Sequence, residues 1–174
     1  MRADQFIRSF ENKLKHQFNV YTKDDLGTIP LRFSAHYYRR DERYMMTKDI
    51  TIWSVENNQH FFLYETTHAT ESEFEQFKQE LDAYICKHRA NTTSHMSSIY
   101  IGLFFVTKTP NPGLIKRAKR SRKVSFIKWG LHGWYERYIG ILSLDSMDIH
   151  MNRKGKPFIQ PFIEPLKSKN EVNS

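Results

Sequence analysis

Residues 98–108 read SIYIGLFFVTK, and the fold turns on them. Ile99, Tyr100, Ile101, Leu103, Phe104, Phe105 and Val106 form a run broken only by Gly102, with polar residues at both ends. An apolar, β-branched and aromatic run of this length is the pattern of a strand covered on both faces. It therefore belongs in the middle of a sheet, and the rest of the chain must supply two covering layers.

Immediately upstream, Thr70 and Glu73 have the spacing of a helix-starting capping box, and Ser72 with Glu75 repeats it. Phe74, Phe77, Leu81, Tyr84, Ile85 and His88 follow at helical spacing, so a helix is predicted over 72–89. Phe6, Ile7, Phe10, Leu14 and Phe18 predict a second amphipathic helix over 4–18, with Asp4 as its N-cap. Between the two helices three short strands are expected as an antiparallel meander. Leu31, Phe33, Ala35 and Tyr37 alternate with Arg32, Ser34, His36 and Tyr38; residues 44–55 and 61–66 supply the other two, with turns at Asp41–Glu42 and Asn57–Asn58.

Downstream, Pro110 to Gly113 ends the central strand and opens a short helix near Leu114. Further strands are expected over 124–129, 135–144 and around Ile149, with a hairpin turn at 145–148 and a corner at Gly130 and Gly133. The NRKGK run at 152–156 reads as a turn. Residues 158–163 read as an edge segment interrupted by Pro157 and Pro161. The expected architecture is a single α+β domain over 1–166, in the order αβββαβ followed by a short helix and more strands. Its sheet is mixed and mostly antiparallel, and 167–174 form a polar, disordered tail.

The chain of 174 residues is long enough for one core and has no run approaching the roughly 18 apolar residues a membrane helix needs. Its N-terminus, MRADQFIRSFENKLK, lacks the apolar core of a signal peptide, and Cys86 is its only cysteine; a cytoplasmic protein is expected. The net charge of +8 directs attention to anionic partners. Lys116, Arg117, Lys119, Arg120, Arg122 and Lys123 are the densest cluster, expected on a short helix and loop where they could follow successive phosphates. Arg39, Arg40, Arg43 and the turn bearing Arg153, Lys154 and Lys156 are candidates to extend it.

Catalytic signatures are sparse. There is no GxSxG elbow, no GxGxxG and no Walker A loop. The eight histidines contain no HxxxH or HxH pair on an expected element, and Cys86 and His88 point apart on a helix; His36, His60, His68, His95 and His132 can meet only through tertiary structure. They are read as separate core or surface side chains, and no resident cofactor is expected.

The order helix, three strands, helix, central strand is similar to the core of the PD-(D/E)XK nucleases over about residues 4–108. That resemblance implies Asp49 and Glu65 as catalytic carboxylates holding Mg2+ or Mn2+ to activate water. The lysine of the family's motif is missing, since Thr66 and Thr67 follow Glu65; Lys48 or Lys78 would have to replace it.

A second resemblance rests on polar clusters that a purely structural sheet does not require: ERYMMTK at 42–48, EN at 56–57, HMSS at 95–98, GLHGW at 130–134 and NRKGK at 152–156. In these the chain resembles, from about residue 3 to 160, an uncharacterised prokaryotic family carrying a domain of unknown function. No activity is implied. A shared site would be sought among Arg43, Lys48, Glu56, His95, Trp134, Arg137, Asn152 and Arg153.

Three functions remain open at this level. The first is a basic, non-catalytic domain that binds nucleic acid or another polyanion through 116–123. The second is a metal-dependent phosphodiesterase of degenerate nuclease type. The third is an interaction or regulatory module, such as a homodimer, using a sheet edge or the corner at Trp129 and Trp134.

Overall fold

The computed structural model describes residues 3–38, 58–90, 97–126 and 133–172. The expected second strand at 44–55 and the corner at 130–132 lie outside them, as do Arg39, Arg40, Arg43, Lys48, Asp49, Glu56, His95, Trp129 and His132.

The element order is α1 (Ala3–Leu14), β1 (Asn19–Thr22), β2 (Asp25–Leu26), β3 (Ile29–Pro30), β4 (Phe33–Tyr37), β5 (Asn58–Thr66), α2 (Glu71–Ala90), β6 (Ser98–Val106), α3 (Pro112–Arg120), β7 (Arg122–Phe126), β8 (Trp134–Ser143), β9 (Ile149–His150) and α4 (Lys156–Val172). The main sheet runs β1-β4-β5-β6-β8-β7, with β9 also on β8; β2 and β3 form a separate two-stranded ribbon. The fold is α+β with a mixed sheet, as expected. The pairs β1/β4, β4/β5, β7/β8 and β8/β9 are antiparallel, while β5/β6 and β6/β8 are parallel.

All nine residues of β6 are buried, which is what its unbroken apolar run requires. On one face α1 and α4 close a core containing Phe6, Phe10, Phe33, Phe61, Phe105 and Tyr138. On the other, α2 and α3 close a core containing Phe62, Phe74, Phe77, Tyr100, Phe104 and Ile139. Gly102 sits where α2 comes closest: a Cβ there would overlap the Phe77 ring. Its lack of a side chain is what lets that ring rest on the sheet.

Two helix starts follow their sequence signals, while Asp4, expected as the N-cap of the first helix, lies inside the first turn of α1, which begins at Ala3. Of the two boxes offered for α2, Thr70 and Glu73 form the one used: the Thr70 N–H donates to Glu73 Oε2 at 3.0 Å and the Glu73 N–H donates to Thr70 Oγ1 at 3.1 Å. The Asn111 side chain accepts from the Leu114 N–H at 2.8 Å and starts α3, with Pro112 in its first turn.

Three expectations change. The first helix stops at Leu14; Phe18 still enters the core, but from the turn that leads into β1, a strand the sequence pattern did not announce. Arg122 and Lys123 belong to a strand, since β7 begins at Arg122. Residues 158–163 are part of helix α4, which continues to Val172 over most of the segment read as a disordered tail. Prolines inside a helix cost about 3 kcal/mol each. Pro161 and Pro165 are tolerated because Ile159, Ile163 and Leu166, at helical spacing, are buried in the core shared with α1.

Candidate functional site

The cation cluster is divided by the way α3 packs. Leu114 and Ala118 are buried beneath it. Arg117 points at α2 and meets Glu75 at 2.7 Å and Glu71 at 3.2 Å. On β7, Arg122 pairs with Glu136 at 3.3 Å and donates to the Tyr138 hydroxyl at 3.1 Å, while Lys123 lies 3.9 Å from Asp82. Half of the run is therefore matched by acids of this chain. Lys116, Lys119 and Arg120, spaced i, i+3 and i+4 along α3, are exposed and have no carboxylate partner among the described residues.

These three are joined by the other basic run. The Asn152 side-chain amide donates to the Lys119 carbonyl at 3.0 Å, and the Asn152 side-chain Oδ1 accepts from the Lys154 N–H at 3.0 Å. The turn at 152–156 is held down by Gly155, whose Cβ position lies 2.7 Å from the Tyr138 ring. Arg153 and Lys154 are thereby exposed beside the end of α3. Nearby, His150 has its pKa lowered by burial, against the opposing pull of Asp148, and further by the charges of Lys119, Lys156 and Lys167. Lysines from α3 and α4 thus act on one imidazole.

The remaining sequence candidates that are described make contacts within the chain. Glu65 pairs with Arg32 at 3.2 Å, and Arg32 also holds Asp4 of α1 at 2.8 Å. Its proposed catalytic partner, Asp49, lies outside the described residues. Lys78, named as a substitute lysine, pairs with Glu75 at 2.9 Å. Trp134 packs at the margin of the α1/α4 core. Arg137 is buried and reaches Asp82 at 3.0 Å and Ser121 Oγ at 2.9 Å.

Sequence reasoning missed a second cluster. The register places Asn19, His36, His60, Tyr100, Arg137 and Lys123 in one row across six strands, on the face covered by α2. The histidines read as separate are in contact here. His36 Nδ1 is 2.8 Å from His60 Nδ1, the His60 ring stacks on Tyr100 with centroids 4.8 Å apart, and His88 of α2 lies 5.0 Å from His60. His88 Nδ1 is 2.8 Å from the Tyr100 hydroxyl.

The proton positions follow from one fixed donor. The Ser34 hydroxyl donates to Asp24, so His36 Nε2, 3.2 Å from Ser34 Oγ, must be the N–H that donates to it. Neutral His36 then accepts at Nδ1 from the Nδ1–H of His60. That leaves His60 Nε2 as a buried acceptor with no hydrogen-bond partner among the described residues.

The rings are neutral for a stated reason. Burial lowers His36 to about 4, with Asp24 opposing and His88 adding to the shift; burial and then the His36, His88 and Arg89 charges push His60 well below 6.5. His88 is lowered by burial and by Arg89. Burial also raises Tyr100 to about 12, so its hydroxyl stays protonated. Chemically this is a chain of uncharged donors and acceptors. Among the described residues no three His, Cys, Asp or Glu are grouped so as to hold a metal ion.

No helix among the described residues is long and apolar enough to cross a membrane. Comparison with curated proteins and with solved structures finds no match. The nuclease resemblance is accordingly not shown. A family model described as "Domain of unknown function (DUF8052)" matches residues 2–164, which is the kind of uncharacterised family that the polar clusters resemble. With the match covering nearly its whole length, the chain belongs to the DUF8052 family.

Proposed function

We propose that this protein binds a polyanion, nucleic acid foremost, through cations at the β7 edge of the sheet that have no carboxylate partner among the described residues: Lys116, Lys119, Arg120, Arg153, Lys154 and Lys156. The observation that carries the reading is the hydrogen bond from the Asn152 side chain to the Lys119 carbonyl, which brings two basic runs 33 residues apart in sequence onto one surface. Cations gathered on one surface and not held in ion pairs repel one another and hold an attractive field for an anion. The paired half of the 116–123 run, Arg117, Arg122 and Lys123, contributes less, because its charge is already met within the chain.

Fluorescence anisotropy with a labelled oligonucleotide tests this. Binding at about 50 mM salt should weaken with a log–log salt slope of about −4 for six contacts on a single strand. Charge reversal at Lys119, Arg120, Arg153 and Lys154 together should abolish it while leaving the far-UV circular dichroism unchanged. No binding at low salt, or binding indifferent to the reversals, would remove the proposal.

A further inference from the structure

Resting on that reading, we infer that the polyanion is a single-stranded nucleic acid and that Phe126 is the surface on which one of its bases stacks. The chain has thirteen phenylalanines, and twelve are buried or half-buried in the two cores. Phe126 alone is open, at 68% exposure, and Val124 on the same side of the strand is 36% exposed.

Their position ties them to the basic patch. Arg122, Val124 and Phe126 pair in register with Tyr138, Glu136 and Trp134, so these side chains share one face of the sheet. Tyr138 on that face lies directly against Gly155, in the middle of the turn carrying Arg153 and Lys154. Phe126 is four residues along the strand from Arg122, about 13 Å at roughly 3.3 Å per residue. A chain whose phosphates lie on Lys119, Arg120, Arg153 and Lys154 can therefore present a base to the ring.

Competing occupants fit less well. A duplex keeps its bases stacked on one another and would use only the cations. A second copy of this chain, pairing through the outer edge of β7, would bring two molecules of charge +8 together at a basic edge. An apolar peptide would cover Phe126 but leave the cations unmatched. Only a single strand offers phosphates and free base faces together.

The test compares a labelled oligothymidylate of about 20 nucleotides, a blunt duplex of the same length and inorganic polyphosphate, each titrated at low salt. Oligothymidylate should bind tightest of the two nucleic acids. Phe126→Ala should weaken it about 10-fold or more, Phe126→Trp should restore it, and neither should alter polyphosphate binding. The site is exposed, so thermal melts of both variants should match the parent protein. Unchanged oligothymidylate affinity in Phe126→Ala, preference for the duplex, or a concentration-dependent dimer abolished by Phe126→Ala would overturn the single-strand assignment while leaving the polyanion reading intact. Failure of all three probes to bind would overturn both.

Discussion

His36 Nδ1 and His60 Nδ1 face each other at 2.8 Å inside the protein, and a hydrogen bond between them requires at least one bare ring nitrogen. Protonating both rings would place two N–H groups and two positive charges at that distance. Each ring has its folded pKa depressed below the 6.5 of an accessible histidine, so the unfolded chain binds more protons in the interval between. The stabilisation is fully present above about pH 6.5 and is lost as the pH falls toward the folded value of about 4 for His36. From 6.5 to about 4, at 1.36 kcal/mol per pH unit, that one ring accounts for roughly 3 kcal/mol. Urea midpoints should fall steadily from pH 7 to pH 4.5, and less steeply in His36→Asn. Equal midpoints at pH 7 and pH 5 would show that the pair is not held neutral.

Gly102 offers a sharper test of how α2 meets the sheet. The central strand is packed on both faces, so the Phe77 ring cannot move aside without displacing Phe104, whose ring centroid is 4.9 Å away. Gly102→Ala should lower stability by about 1–3 kcal/mol, the usual range for overpacking a closed core. Adding Phe77→Leu, which opens space above position 102, should recover part of that loss. A strictly additive double variant would mean that the two sites do not share the contact.

Arg137 and Asp82 link β8 to α2 beneath the same helix. The guanidinium is buried and also donates to Ser121, so removing Asp82 leaves a buried cation whose remaining hydrogen-bond partner among the described residues is a hydroxyl. Asp82→Ala should cost about 2–4 kcal/mol. Arg137→Met removes the charge and keeps most of the volume, and should cost less. The reverse ranking would show that the guanidinium's packing, and not its charge, is what Asp82 supports.

The parts of the fold that could be read from sequence are those where a single pattern had one physical solution. The run at 98–106 could only be a covered central strand, and the Thr70/Glu73 box could only start a helix. Residues 31–38 misled because alternation of apolar with polar residues normally means one dry and one wet face. Here both faces of β4 are covered, so Ser34 and His36 are buried polar groups that need partners, and they find them in Asp24 and His60. Those partners lie 10 and 24 residues away, a relation no local period encodes. Helix α4 was hidden for the opposite reason: its prolines are a strong local signal for a break, outweighed by the burial of Ile159, Ile163 and Leu166. The cation cluster was visible as composition, but which of its members meet acids depends on the packing of α2 and β8.

That division of the cations makes a direct prediction about binding. Arg117 is anchored between Glu71 and Glu75, so an approaching anion must first displace two carboxylates, whereas Lys119 and Arg120 are exposed with no carboxylate partner among the described residues. Arg117→Gln should change the affinity for oligothymidylate by no more than about 2-fold, and stability by less than about 1 kcal/mol, as for an exposed ion pair. Lys119→Gln with Arg120→Gln should lower the affinity at least about 10-fold at low salt. It should also reduce the log–log salt slope by about 1.4, two phosphate contacts at 0.7 each on a single strand. Equal losses from the two kinds of variant would mean that the acids of α2 do not shield Arg117, and that the whole of 116–123 acts as one undivided charge.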